Sequence, residues 1–275
     1  MSKPVAFAVA AHPDDIELMM GGTMLALEAA GYELHYMNMA NGSMGTDKQW
    51  RDEIVARRTQ EAREAAGMLG AVFHEPLVDD LDVFYDRLLP RRMCAVVREI
   101  RPRIMLLQSP KDYMEDHTNS CRIAVTGAFC RGMLNFPADP PRPPIGDEVT
   151  LYHALPWGLR GPLRERIRAG QYVDITAVMG AKRAALACHK SQKEWLDVSQ
   201  GLDSYLSTME DMAREVGRMA REDCEGAAGF EYAEGWRRHS HLGFCGEGVD
   251  PLGEALGGSI VVSRAYEELL EQGIA

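Results

Sequence analysis

Pro4-Val5-Ala6-Phe7-Ala8-Val9-Ala10-Ala11, running straight into His12-Pro13-Asp14-Asp15-Ile16-Glu17-Leu18, decides the fold. The first eight residues are apolar and β-prone without alternation, the pattern of a strand covered on both faces. From Ile16 to Ala30, Leu18, Met19, Gly22, Leu25 and Ala29 recur at helical spacing. His12, Asp14 and Asp15 therefore fall on a strand-to-helix turn, and in an open α/β sheet ligands bind at such turns. A carboxylate just before a helix also caps its N-terminus and suits its dipole. Two consecutive acids behind a histidine exceed what capping needs.

The alternation continues. The pattern predicts strands at 33–39, 72–75 and 104–108 and helices at 52–69, 84–100 and 119–134. Right-handed crossovers make this succession an α/β fold, a Rossmann-like, open and mostly parallel sheet with helices on both faces. The first and fourth strands can then lie side by side, their carboxyl ends flanking one crevice. Pro137-Ala-Asp-Pro-Pro-Arg-Pro-Pro144 interrupts the pattern and is expected as a surface excursion, over the site or at a subunit contact. Further strands are expected at 149–154 and 172–175 and helices at 177–190 and 204–223, giving a single domain over 1–275 with a helical, partly irregular carboxyl part. Ser259 to Ser263 reads as an edge strand or a subunit contact.

Composition excludes several classes. A net charge of −11 with scattered arginines offers no stripe to neutralise phosphates, so nucleic acid is not an expected partner. No run is long and apolar enough for a membrane span, no signal-peptide pattern opens the chain, and a cytoplasmic location is expected. The six cysteines lack CxxC spacing and read as reduced thiols. With no GxGxxG after the first strand, a dinucleotide role lacks its phosphate-binding turn.

The loop after the fourth predicted strand, Ser109-Pro-Lys-Asp-Tyr113-Met114-Glu115-Asp116-His117, brings a second histidine to the crevice. His12, Asp15 and His117 make a two-histidine, one-carboxylate set that leaves positions open for water and substrate on a zinc-like ion. Iron, cobalt or manganese would fit the same donors. Asp14 is free to take a proton from the activated water and pass it to a leaving group. Gly42-Ser-Met-Gly45, at another strand end, is either a substrate contact or a plain turn, and Gly21-Gly22 reads as close helix–sheet packing. Trp50 and Trp157 border the channel or simply pack. His239-Ser-His241 reads as a surface or interface pair and Asp79-Asp80-Leu81-Asp82 as a solvated helix entrance.

Ala11-His-Pro-Asp-Asp-Ile-Glu-Leu18 followed by Gly21-Gly-Thr23 resembles the signature of the PIG-L/LmbE-like deacetylases, Rossmann-like zinc-dependent N-deacetylases. Arg58-Thr-Gln-Glu61, His189-Lys-Ser191-Gln192 and Tyr232-Ala-Glu234 resemble further segments of that family. The resemblance implies His12, Asp15 and His117 as metal ligands, Asp14 as general base and Arg58 near the substrate. It also implies hydrolysis of an N-acetylated amino sugar or related small molecule.

One departure stands out. The family usually reads His-Pro-Asp-His where this chain reads Met114-Glu115-Asp116-His117. The first histidine of that motif helps stabilise the tetrahedral oxyanion and is oriented by the motif's Asp, here Asp116. A thioether donates no hydrogen bond, and loss of one such donor costs about 10²–10³ in rate. Tyr113 and His189 are the candidate replacements; Tyr113 equally reads as a packed aromatic, and His189 as a substrate contact or as a hydrogen-bonded core or surface residue. The alternatives to an N-deacetylase are a metal or small-ligand binding protein without turnover and a hydrolase of another amide or an ester. Relatives of this kind are often oligomers, and a homo-oligomer is an open expectation.

Overall fold

The computed structural model describes residues 3–200 and 204–273. In chain order the elements are β1 (Val5–Ala10), α1 (Asp15–Met19), α2 (Gly21–Ala29), β2 (Glu33–Asn38), α3 (Arg51–Met68), β3 (Ala71–His74), α4 (Leu89–Ile100), β4 (Ile104–Leu107) and α5 (Glu115–Phe129). There follow β5 (Thr150–Ala154), β6 (Gln171–Asp174), α6 (Met179–Leu186), α7 (Lys190–Gln200), α8 (Ser204–Asp223), β7 (Ala233–Arg238), α9 (Pro251–Leu256), β8 (Ile260–Val262) and α10 (Arg264–Glu271). Short 3₁₀ turns join several of them.

Eight strands form one sheet in the order β3-β2-β1-β4-β5-β7-β6-β8. The pairings from β3 to β5 are parallel. Those among β5, β7, β6 and β8 are antiparallel. The α/β class and the adjacency of the first and fourth strands stand as the sequence predicts. Strand β1 shows why it reads as buried: Ala6, Ala8 and Ala10 face one core, with Ile16, Met24 and Tyr36, while Phe7 and Val9 face another, with Met93, Val97 and Ile123. A strand covered twice has no polar face to alternate with.

The helix predicted from Ile16 to Ala30 is broken at Met20, whose φ of −133° leaves the helical region. The reason lies far away in sequence. Glu234 on β7 accepts the Gly22 and Thr23 amides at 2.8 and 2.7 Å, so the second piece starts its own N-terminus against a buried carboxylate. Lys182 neutralises Glu234 at 2.6 Å. Gly22 is jammed against Ile175, the residue after β6, for a Cβ there would lie 2.5 Å from its side chain.

Other boundaries moved for local reasons. Helix α4 begins at Leu89 and not at 84, because Asp86 Oδ1 takes the Leu88 and Leu89 amides at 2.8 and 2.9 Å, with Pro90 in the first turn. Helix α5 begins at Glu115, four residues before the expected 119, so Asp116 and His117 sit in its first turn. Strands Ala233–Arg238 and Ile260–Val262 complete the antiparallel side, the second at the sheet edge. The Pro-rich excursion lies over α4 and α5, away from the carboxyl ends of the strands. It is gathered by the buried Arg98 guanidinium, which donates to the carbonyls of Cys130, Arg131, Met133, Phe136 and Arg142 at 2.8–3.3 Å.

Candidate metal centre and its cavity

Strand ends β1 and β4, side by side, deliver the expected donors to one point. His12 Nδ1 and His117 Nε2 each lie 3.5 Å from Asp15 Oδ2. One donor atom from each of the three residues falls within 4.8 Å of the other two, a spacing that accommodates one ion. The remaining nitrogen of each ring faces its own carboxylate: His12 Nε2 bonds Asp116 Oδ2 at 3.0 Å, and His117 Nδ1 is 3.0 Å from Asp112 Oδ1. Such outer carboxylates fix the tautomer and aim of a ligating imidazole.

The charges fit an ion as well. Burial works against a proton on His12, yet its bonds to Asp116 and Asp15 push it up to about 10. His117 is also raised, burial being outweighed by Asp15 and Asp112. Burial would raise Asp15, but His117 and His12 hold it well below the usual carboxylate range. A divalent cation held by these donors would take over the positive charge that the surrounding acids favour.

Asp14 lies beside this set and does something else. It occupies the position before α1 without a side-chain cap, at φ 107°, a conformation costly for a non-glycine residue. The Asp15 carboxylate instead takes the His12 amide at 2.8 Å, closing the turn. Arg58 Nη2 donates to Pro13 O at 2.8 Å and stands 3.9 Å from Asp14 Oδ1; Tyr205 donates to Asp14 Oδ2 at 2.6 Å. Burial pushes the Asp14 carboxyl up to about 6, with Arg58 opposing.

Around these groups is a cavity of about 330 Å³. Arg58 and Gly45 line it, and Gly45 is both a turn residue, its amide on Gly42 O at 3.2 Å, and a wall against the Arg58 guanidinium that any side chain would strike. Tyr113 and Met114 line it too. Tyr113 sets its ring edge-on to His117 at 5.8 Å, and burial with the nearby acids pushes its phenol up to about 12, so it keeps its proton. With Met114 just before α5, Asp116 has no imidazole at that position to orient; it holds His12 and the Leu81 amide, the latter at 2.7 Å.

Several expectations need correcting. His189 is not at the cavity wall: it is 1% exposed, with Nε2 3.3 Å from the fully buried Glu17, beneath Asp14. Trp157 lines the cavity, but Trp50 is 85% exposed and does not. The acid run 79–82 is no helix entrance. Asp80 is buried and takes the Gly42 and Met44 amides at 2.6 and 2.9 Å, shaping the Gly45 turn, while Asp79 pairs with Arg51. His239 bonds His153 at 2.9 Å, and among the described residues only the His12 set has metal-like spacing.

Sequence reasoning missed Asp80, Asp112, Gln108 and Tyr205. Asp112 carried a usable signal, an acid five residues before His117. Tyr205 carried none, because tertiary packing alone brings it 191 residues back along the chain to Asp14.

Residues 7–128 match the family described as PIG-L, GlcNAc-PI de-N-acetylase. The match runs from within β1 through β4 and most of α5, and includes the three candidate ligands. The chain is 28% identical over 236 residues to diacetylchitobiose deacetylase from Thermococcus kodakarensis, covering 82% of this chain and 79% of that one. Among solved structures, the 4-carboxy-2-hydroxymuconate hydratase of Pseudomonas putida superposes with a TM-score of 0.72 at 23% identity, covering 86% and 95% of the two chains. An N,N'-diacetylchitobiose deacetylase from Pyrococcus horikoshii gives a TM-score of 0.69 at 24% identity, covering 86% and 84%. At such identities these two likenesses speak for the fold alone. That a hydratase and a deacetylase share it means the reaction has to be argued from the site. Among the described residues no helix is long and apolar enough to cross a membrane.

Proposed function

We propose that this chain is a metal-dependent N-deacetylase of the PIG-L kind, acting on an N-acetylated amino sugar or a related small molecule. The observation that carries the reading is the convergence of His12 and His117 on Asp15, each imidazole backed by its own carboxylate, in a cavity that also holds the unligated acid Asp14. The similarity to diacetylchitobiose deacetylase supports the substrate class.

Zinc is the ion these donors suit best, with iron, cobalt or manganese fitting the same set; it would polarise an amide carbonyl and acidify a water. Asp14 accepts the proton of the attacking water and returns it to the departing nitrogen, for which a carboxyl held near pH 6 is well placed. Arg58 holds the Asp14 turn and the Gly42–Gly45 turn against each other, which keeps the base in register with the triad. Tyr113, protonated and against His117, is the donor we assign to the oxyanion in place of the histidine that Met114 displaces.

The test is release of primary amine by zinc-loaded protein from a panel of N-acetylated amino sugars and their glycosides. Activity that disappears in Asp14→Asn supports the assignment, and activity that persists there removes Asp14 as the base. A second reading, addition of water across an activated carbon–carbon double bond, is favoured by Met114, since such a reaction builds no tetrahedral amide oxyanion to be stabilised. A conjugated unsaturated acid losing its absorbance, with no amine released from the panel, would establish it. Tight metal binding with neither reaction would make the chain a binding protein.

A further inference from the structure

We propose that Tyr205 is a positioning residue for Asp14, its phenol fixing one carboxylate oxygen so that the other is left to the reacting water. The role rests on the deacetylase reading for its consequence, but the geometry stands by itself. Tyr205 Oη donates to Asp14 Oδ2 at 2.6 Å, and both residues are buried and line the cavity. Asp14 Oδ1 has Arg58 Nη2 at 3.9 Å, beyond hydrogen-bonding reach. The two oxygens are therefore unequal: one is engaged, and the other feels a cation without being consumed by it.

The backbone under Asp14 is pinned as well. Arg58 holds the Pro13 carbonyl at 2.8 Å and Asn38 Nδ2 the His12 carbonyl at 2.6 Å, which keeps Asp14 in its left-handed conformation. With main chain and one oxygen fixed, the carboxylate cannot swing onto the Arg58 guanidinium, where a bidentate pair would remove it from the chemistry. Burial and the charges of Asp14 and Glu17 hold the Tyr205 phenol far above its ordinary range, so it remains a donor. Its ring belongs to the same buried apolar cluster as Ile16, Met20 and Met209, a setting that a phenylalanine would preserve. Tyr205 lies outside residues 7–128, so the carboxyl half of the chain takes part in the candidate site.

Tyr205→Phe is the experiment. In amine release kcat should fall about 10–100-fold, the worth of a hydrogen bond to a charged group, with KM and bound zinc unchanged. In an Asp14→Asn background the same substitution should alter kcat less than about two-fold, because Tyr205 acts only through that carboxylate. Crystal structures supply a readout independent of turnover: in Tyr205→Phe the Asp14 carboxylate should rotate onto Arg58. An unchanged kcat, an equal fall in the Asp14→Asn background, or a carboxylate that keeps its orientation without the phenol each overturns the proposal. If the parent protein releases no amine at all, the deacetylase reading falls and the crystallographic comparison still decides the role of Tyr205.

Discussion

The two walls of the cavity hold their polar groups in different ways. On the wall built from the ends of β1 and β4 and the first turn of α5, His12 and Asp15 follow β1 closely, His117 stands in that first turn, and each imidazole has an acid behind it. On the other wall, residues from beyond position 150 arrive singly: Trp157 from the end of β5, Gln192 from α7 and Tyr205 from α8. The first wall is made by topology, which puts parallel strand ends next to one another. The second is made by side-chain packing, and it acts on the first through Asp14.

The largest effect expected from breaking this arrangement belongs to the acid shared by both walls. Asp14→Asn should lower kcat by about 10²–10⁴ while zinc content, measured by elemental analysis, stays the same. Next comes the layer beneath it. His189→Leu would strand the Glu17 carboxylate in an apolar interior and should cost about 3–5 kcal/mol in denaturant unfolding. The first wall is more sharply tested by Asp112→Asn and Asp116→Asn, each expected to weaken zinc about 10–100-fold in chelator competition.

A pH effect comes from histidines that lack acids. His153, buried against the Gln108 carbonyl and His239, is pushed down to about 4. The unfolded chain takes up that proton near its ordinary value of about 6.5, so protonation favours unfolding and stability falls as pH drops. The contribution is complete above that value and should be smaller by about 2 kcal/mol at pH 5. Comparing unfolding of the parent and His153→Gln at pH 7 and pH 5 measures it, and parallel losses in both would show that His153 is not responsible. The smallest effect is that of Trp50→Ala, expected within about 0.5 kcal/mol and without change in KM, because Trp50 is exposed and outside the cavity.

Legibility follows the same division. The parallel strands and the His12, Asp15, His117 set were readable because burial on both faces leaves uninterrupted apolar runs, and donors at strand ends fall at fixed offsets from them. The break at Met20 was not, since it depends on Glu234, more than two hundred residues on. His189 misled because a histidine in a polar segment gives no sign of whether it faces a cavity or a buried glutamate. Asp80 was hidden in an acid run that gives no sign of which member is buried: its function as an acceptor for two loop amides depends on a turn that spacing cannot show.

The Glu234 carboxylate has a consequence for anyone who would dissect the molecule. It joins the antiparallel side of the sheet to the second helix of the chain, with Lys182 as its counterion, and Trp236 on the same strand donates to Thr23 at 2.9 Å. A fragment stopping near residue 128, where the family likeness ends, would lose the anion at the start of α2 together with the strand that pairs with β4. What looks in sequence like a catalytic module with an appendage is, in mechanical terms, an arch whose keystone is set from the far side.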